Sequence, residues 1–270
     1  MKARRDEPCF TVALYGVTLE HADFVPLVRD VIDLFRAAGH SLSHLGTLAR
    51  GFGDKPLRFA RAWKRMEKTH PGDIEAVSLY SLVEGWDSTS DWTAICCIDQ
   101  QWRHLSLGAG LVGMPDAEAV FFDFVRRWQD RLRPAYGIGF TRRRDQGPNH
   151  YTVGVSFSVG IHSACSGPEY EEKLATSRWS HGMYEAVYDQ GILRDVYRYS
   201  LLKPCHLQRA IDGRPLWAWI QETPQRGQLT PFDESGDYTL WTVDTEQVAT
   251  VRRQLAAAGG LYVLERVNHL

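Results

Sequence analysis

Three consecutive arginines, Arg142, Arg143 and Arg144, lie in a polar segment that runs to Asn149. The composition of this segment favours a surface turn or the tip of a hairpin. Three guanidinium groups at such a tip could bind phosphate, because each presents several N–H donors in a planar fork. The simpler interpretation is a solvated turn, since no aromatic side chains alternate with the arginines as they would on a nucleic-acid platform.

A second group combines aromatic and acidic residues in the segment Trp86-Asp87-Ser88-Thr89-Ser90-Asp91-Trp92, between two predicted strands. A tryptophan in a loop is costly to leave exposed unless it packs or binds. If exposed, Trp86, Asp87, Asp91 and Trp92 would form a partner-binding surface suited to a basic protein such as a nuclease. Alternatively, both rings fold back onto the core, as large aromatic side chains usually do.

Other residue types give no pattern of catalysis or metal binding. His40 and His44 could share a helical face, but zinc needs three or four ligands and no partner pair is apparent. Motifs of the GxxxxGK[ST], GxSxG and HExxH types are absent from the sequence, which removes common routes to a P-loop enzyme, a hydrolase or a zincin. Cys165 could act as a nucleophile beside a histidine, although a buried structural cysteine is commoner. We therefore predict no catalytic residue, no metal and no cofactor.

Composition narrows the class of protein. The chain has 270 residues, 44% hydrophobic and 24% charged, with a formal net charge of -2. These values are typical of a globular protein, and the small charge provides no general attraction for nucleic acid or a membrane. The N-terminal region contains Asp6, Glu7 and Pro8 where a signal peptide needs apolar residues, and no apolar run is long enough to span a bilayer. The odd count of five cysteines indicates reduced thiols, so we expect a cytoplasmic protein.

Apolar periodicity predicts strands in adjacent clusters, with helices between the clusters. The predicted strands are 10–17, 46–52, 74–82, 92–98, 104–111, 136–141, 150–161, 237–243 and 261–267. The predicted helices are 23–38, 56–68, 115–133, 169–187, 214–220 and 244–258. Asp23 and Asp244 are placed to cap two of these helices. Strands and helices do not alternate one for one, which favours an α+β fold with an antiparallel or mixed sheet, or two such sheets, and helices packed mainly on one face.

The length of the chain fits one large domain or two small ones. The weakest seam lies near 163–168. We therefore predict an N-terminal α+β region over 1–162 and a C-terminal α+β region over 168–270, packed together as one compact unit.

Several segments of the C-terminal region carry a resemblance to a known class of protein. They are Leu193–Leu202, Pro204–Leu207, Leu216–Ile220, Gly227–Leu229 and Leu240–Val243. These segments resemble bacterial α+β proteins of the immunity type, which belong to polymorphic toxin and type VI secretion systems. The resemblance implies a cytosolic, non-catalytic protein that is specific for one cognate toxin. It covers about the last 80 residues and transfers no binding residue.

The leading hypothesis is a cytosolic protein that recognises a protein partner, the cognate toxin, by shape and charge. The alternative is an enzyme or nucleic-acid-binding component of a bacterial defence system, with a site assembled from distant residues such as Cys165 and a histidine, or from Arg142 to Arg144. A third hypothesis is a structural subunit whose aromatic surface forms a homodimer. Membrane contact is not expected.

Overall fold

The computed structural model describes residues 6–49, 55–82, 92–155, 176 and 178–261. The chain divides into two compact units. Unit 1 comprises Met1–Ala13, Val17–Pro134 and Thr141–Asn149, and unit 2 comprises Leu14–Gly16, Ala135–Phe140 and His150–Leu270.

The described strands of unit 1 follow the order β1-β6-β5-β4-β2-β3. They are β1 (Pro8–Tyr15, its last two residues in unit 2), β2 (His44–Ala49), β3 (Leu57–Arg58), β4 (Ile74–Leu82), β5 (Trp92–Asp99) and β6 (His104–Gly110). The pairs β2-β3, β2-β4, β4-β5 and β5-β6 are antiparallel. Cys96 on the central strand lies opposite Leu79 and Leu107, so apolar residues align across three strands.

Three helices of unit 1 carry the apolar stripes that the sequence predicts. They are α1 (His21–Ala37), α2 (Phe59–Met66) and α3 (Ala117–Leu132). Phe10 of β1 contacts Phe121 and Phe122 of α3, with ring centroids 6.2 and 6.1 Å apart. Phe121 also meets Phe35 of α1 at 6.3 Å, so the two long helices share one apolar core with the sheet. The 3-10 turns of this unit are Pro71–Asp73 and Arg144–Gln146.

The described strands of unit 2 follow the order β11-β12-β8-β7, with a separate two-stranded ribbon of β9 and β10. They are β7 (Tyr136–Arg143, of which 141–143 belong to unit 1), β8 (Tyr199–Leu202), β9 (Ala210–Ile211), β10 (Arg214–Pro215), β11 (Gln228–Pro231) and β12 (Thr239–Thr242). The pairs β9-β10, β11-β12, β8-β12 and β7-β8 are antiparallel. The helices are α4 (Pro148–Thr152, which begins in unit 1), α5 (described over 178–184), α6 (Pro204–Leu207), α7 (Leu216–Gln221) and α8 (Val248–Ala257), with 3-10 turns at Val187–Gln190 and Pro224–Arg226.

The core of unit 2 is organised around a buried arginine. Arg194 is 1% exposed and donates to the hydroxyl oxygen of Tyr15 at 3.0 Å and to the carbonyl oxygens of Tyr151 and Thr152 at 2.7 and 3.1 Å. Its guanidinium also lies 4.5 Å from the ring of Tyr151 and 5.5 Å from that of Trp179. Because oxygen acceptors and aromatic faces replace its hydration, this charge can remain in the interior and holds three segments of the unit together.

One predicted strand is wrong over its described part. The alternating pattern of 150–161 begins in α4, a short helix, and 156–161 lie outside the described residues. Gly147 takes a left-handed φ of 57°, which ends the preceding 3-10 turn. Pro148 then occupies the first position of the helix, where its missing N–H is not needed. This local turn chemistry overrides the twofold alternation.

Two predicted helix caps are also corrected. Glu20 is the N-cap residue of α1, without a side-chain cap hydrogen bond, so Asp23 lies in the first turn and favours the helix through its dipole. Gln247 is the N-cap residue of α8, again without a side-chain cap bond. Asp244 contributes its backbone oxygen instead, which accepts from the N–H groups of Gln247 and Val248 at 2.8 and 3.1 Å.

The predicted α+β class is confirmed, because helices and antiparallel strand pairs occur together in the fold. In the described part of the chain, none of the helices combines the length and the apolarity needed to cross a bilayer.

Candidate partner-binding site

The two strands that flank the predicted acidic, aromatic surface adjoin it at the same end of the sheet of unit 1. The strand β4 ends at Leu82 and β5 begins at Trp92, so the connection between them leaves and re-enters the sheet there. Trp86, Asp87 and Asp91 lie outside the described residues. Trp92 and the residues around it form the base of this connection.

Trp92 belongs to the core of unit 1 and not to its surface. The side chain is 2% exposed and packs with Cys9 and Ile95, beside the partly buried Tyr80 and Leu82. The prediction that the Trp92 ring contacts a partner does not hold in this structure, because the indole ring is already buried in an apolar cluster of unit 1.

Arg144 lies above the ring of Trp92, with its guanidinium carbon 5.4 Å from the ring centroid. The side chains of Arg144 and Glu7 are 2% and 6% exposed and form an ion pair. The second oxygen of the Glu7 carboxylate accepts from the N–H of Val112 at 3.2 Å. A Cβ at Gly110 would collide with the Glu7 carboxylate, so the missing side chain there provides the space for the pair. Arg144 is thus an interior cation and not part of an exposed phosphate site.

The other two arginines are also held locally. The side chain of Arg143 is 56% exposed and forms an ion pair with Asp145 at 2.5 Å. The Nε of Arg142 donates to the carbonyl oxygen of Gln146 at 3.2 Å. The three guanidinium groups have different partners, so the described structure does not bring them together on one phosphate. The segment is a strand end followed by a 3-10 turn, which directs Arg144 inward.

A hydrogen-bond chain fixes the start of β5 beside this ion pair. The Nδ1 of His40 lies 3.2 Å from Oγ1 of Thr93, and that hydroxyl donates toward the carbonyl oxygen of Ser81 at 3.2 Å. The hydroxyl of Ser81 in turn donates to the carbonyl oxygen of Ser41 at 3.0 Å. Burial lowers the pKa of His40, so the imidazole is neutral at pH 7 and acts as a structural link. These hydrogen bonds thus hold in place the strand ends from which the connection leaves and to which it returns.

Cys9, Cys96 and Cys97 are poor nucleophiles. Burial raises the pKa of Cys9 to about 12 and that of Cys96 well above its usual value. Burial also raises the pKa of Cys97, whose sulfur contacts the hydroxyl of Ser78 and the amide of Asn149, each at 3.3 Å. These groups remain thiols at neutral pH, and a thiolate is the reactive form. Cys165 lies outside the described residues.

Among the described residues, no group of three histidine, cysteine, aspartate or glutamate side chains could hold a metal ion. His40 and His44 do not lie on one helix; His40 follows α1 and His44 begins β2. The histidine beside Cys205 is buried, and desolvation lowers the pKa of His206 to about 4. Its Nδ1 accepts from the backbone N–H of Lys203 at 3.3 Å, which is a structural role.

A groove that sequence reasoning missed lies on the helical side of unit 1. It has a volume of about 720 Å³ and is bounded by the end of α1 and the start of α3. Leu34, Ala37 and Met114 supply apolar walls, while Asp123 and Arg127 lie at charged positions of its lining. The run of small residues at the end of α1 was the available sequence signal.

Comparison with known proteins gives a likeness of fold. No protein-family model matches the sequence, and no curated protein matches it. A solved structure described as Pseudomonas aeruginosa T6SS protein PA0821 is similar in fold, with a TM-score of 0.56 and 12% sequence identity. The similarity covers 93% of this chain and 73% of the other. At this level of identity the likeness concerns the fold alone.

Proposed function

We propose that this chain is a non-catalytic cytosolic binding protein, an immunity protein that neutralises a cognate bacterial toxin by protein–protein contact. The observation that carries the proposal is that the charged and titratable side chains are paired or neutral at the end of the unit 1 sheet where β5 begins. Glu7, Arg144 and His40 are paired or neutral in the interior, so they stabilise a base for surface segments and do not form a reaction site.

The similarity to a T6SS protein supports the setting of this proposal. In this proposal the chain acts in the cytoplasm against a toxin of such a system. The proposed mode of action is steric and electrostatic, because recognition by complementary surfaces needs no cofactor.

In this proposal the connection between Leu82 and Trp92 contacts the toxin. Trp86 would be the aromatic anchor, since large aromatic side chains contribute most to interface energies. Asp87 and Asp91 would meet basic groups of the toxin and increase the rate of association. The buried Trp92 and Arg144 would hold one end of the connection in position, which reduces the entropy lost on binding.

The experiment is a tagged pull-down from the native bacterium after nuclease treatment, with mass spectrometry of the retained material. We expect wild type to retain a single protein in stoichiometric amount and the triple variant W86A/D87N/D91N to lose it. A matched control, W217A/D130N/D212N, changes the same residue types at exposed positions and should retain the partner. Recovery of nucleic acid or a small molecule without a protein would contradict the proposal.

A further inference from the structure

A small cavity of unit 1 lies beside the loop 100–103, which joins the end of β5 to the start of β6. Its volume is about 210 Å³. Val17, just after β1, is held against this loop, since its N–H donates to the carbonyl oxygen of Arg103 at 2.9 Å. The lining includes three apolar residues, Val17, Leu19 and Ile98, and three polar ones, Thr18, Asp99 and Arg103. We call this space the hairpin cavity.

Asp99, the last residue of β5, supplies the cavity with a carboxylate. Its Oδ1 accepts from the N–H of Trp102 at 2.8 Å, which holds the group at the turn. Burial raises the pKa of Asp99 by more than the N–H groups of Trp102 and Gln101 lower it. Among the residues that the structure describes, Asp99 makes no ion pair. A carboxylate that has lost part of its hydration without gaining a cation favours a ligand that brings a positive charge.

Arg103 brings a charge of the opposite sign to the same lining. Its Nε donates to the carbonyl oxygen of Val17 and its Nη2 to the hydroxyl of Thr18, each at 3.4 Å. These distances are long for N–H···O bonds, so a carboxylate would be a stronger acceptor for the same guanidinium. A purely cationic ligand would be repelled by Arg103, and a purely anionic one by Asp99. The two side chains together therefore favour a ligand that carries both charges.

The size and the apolar walls of the hairpin cavity limit the rest of the ligand. Its volume of about 210 Å³ equals the liquid volume of about seven water molecules, at roughly 30 Å³ each. A molecule of about seven or eight non-hydrogen atoms therefore fits, whereas a nucleotide does not. Ile98 and Val17 are buried and Leu19 is half-buried, so they offer an apolar surface to a short aliphatic group.

We infer that the hairpin cavity binds a small aliphatic zwitterion, of the class of free amino acids with a short apolar side chain. The carboxylate of Asp99 binds the ammonium group, and the guanidinium of Arg103 binds the carboxylate. The aliphatic group packs against Val17, Leu19 and Ile98. This inference goes beyond the proposed function and does not depend on it, because the proposed toxin contact adjoins the first residue of β5 and the cavity adjoins the last.

The test is saturation-transfer difference NMR on the whole chain with three probes of matched carbon skeleton. They are L-valine, isobutylamine, which lacks the carboxylate, and isovalerate, which lacks the ammonium group. We expect wild type to bind L-valine with a Kd of about 1 mM or below, and each of the other two probes at least about tenfold more weakly. The variant D99N removes the charge but keeps an oxygen for the N–H of Trp102, so the turn should persist. We expect it to bind L-valine at least about tenfold more weakly, whereas the matched control D130N, at an exposed position of α3, stays within about twofold of wild type.

A second variant, L19W, tests the cavity without changing a charge, because an indole at this half-buried position fills part of the space. We expect it also to bind L-valine at least about tenfold more weakly, with its fold verified by circular dichroism. The inference is wrong if wild type shows no saturable binding of L-valine up to about 20 mM, or if D99N or L19W binds as tightly as wild type. It is also wrong if isobutylamine or isovalerate binds as tightly as L-valine, because one of the two charges would then have no role. A loss in D130N equal to that in D99N would contradict it too, since the effect would not belong to the cavity.

Discussion

Loss of either member of the Glu7–Arg144 pair should destabilise unit 1, whereas loss of both together should be nearly neutral. Removal of one partner leaves a buried charge without compensation, which costs about 3–5 kcal/mol. We therefore expect E7Q and R144M each to lower the free energy of unfolding by about that amount. In the double variant E7Q/R144M no unpaired charge remains, and we expect a net loss of no more than about 1 kcal/mol. The coupling energy between the two positions should thus be several kcal/mol.

The measurement is urea unfolding followed by tryptophan fluorescence, with calorimetry as a second readout. A single substitution should lower Tm by about 10 °C, at about 2–4 °C for each kcal/mol in a chain of this size. The neighbouring Arg143→Met is the matched control, because its exposed pair with Asp145 should contribute less than about 1 kcal/mol.

Two results would refute the structural role of the pair. One is a loss of less than about 1 kcal/mol in both single variants, which would mean that the charges are solvated. The other is an additive loss in the double variant, which would mean that the two groups act independently. If R144M kept full stability but lost phosphate binding measured by calorimetry, Arg144 would be a ligand-binding residue after all.

Three further predictions concern other parts of the chain. R194M should destabilise unit 2 by about 3–5 kcal/mol in urea unfolding, because Arg194 satisfies the Tyr15 hydroxyl and two carbonyl groups in the interior; a loss below about 1 kcal/mol would contradict this role. R61E on α2 should raise the free energy of unfolding by about 0.5 kcal/mol, because the like-charged pairs of Arg61 with Lys64 and Arg65 become opposite, and a lower Tm would contradict that reasoning. The pKa of His206 is about 4 in the folded chain and lies below its value in the unfolded chain, so the unfolded chain binds the proton first as the pH falls. The contribution of the neutral imidazole to the free energy of unfolding is therefore fully present above about pH 6.5, and the free energy falls by up to about 3 kcal/mol as the pH approaches 4. H206Q should remove that part of the loss in unfolding curves measured across this range, and an unchanged pH dependence would show that the imidazole does not control it.

Periodicity was a good guide where an element is long and its burial is one-sided. The helix predicted over 115–133 is observed at Ala117–Leu132, and the strand predicted over 74–82 has the same bounds. In both, the apolar residues repeat with the period of the element over several turns or pairs, so the pattern and the final packing agree. The start of 150–161 shows where periodicity fails. Gly147 ends a 3-10 turn and Pro148 begins a helix, although apolar and polar side chains alternate in the segment that follows.

The site was less accessible to sequence reasoning because its contacts are distant along the chain. Arg144 pairs with Glu7, which is 137 positions away, and the space for the pair depends on Gly110. No local pattern distinguishes an arginine with such a partner from one in a solvated turn. For Trp92 the sequence left exposure and burial open, and the packing of Cys9 and Ile95 decides for burial.

We propose that the chain neutralises a toxin by binding it. The most direct measurement is the growth of cells that express the protein captured by pull-down, with wild-type chain, W86A/D87N/D91N or no chain supplied. We expect the captured protein to arrest growth, the wild-type chain to restore growth, and the triple variant to fail to restore it. A captured protein that is harmless to cells, or growth arrest that wild type fails to relieve, would contradict it.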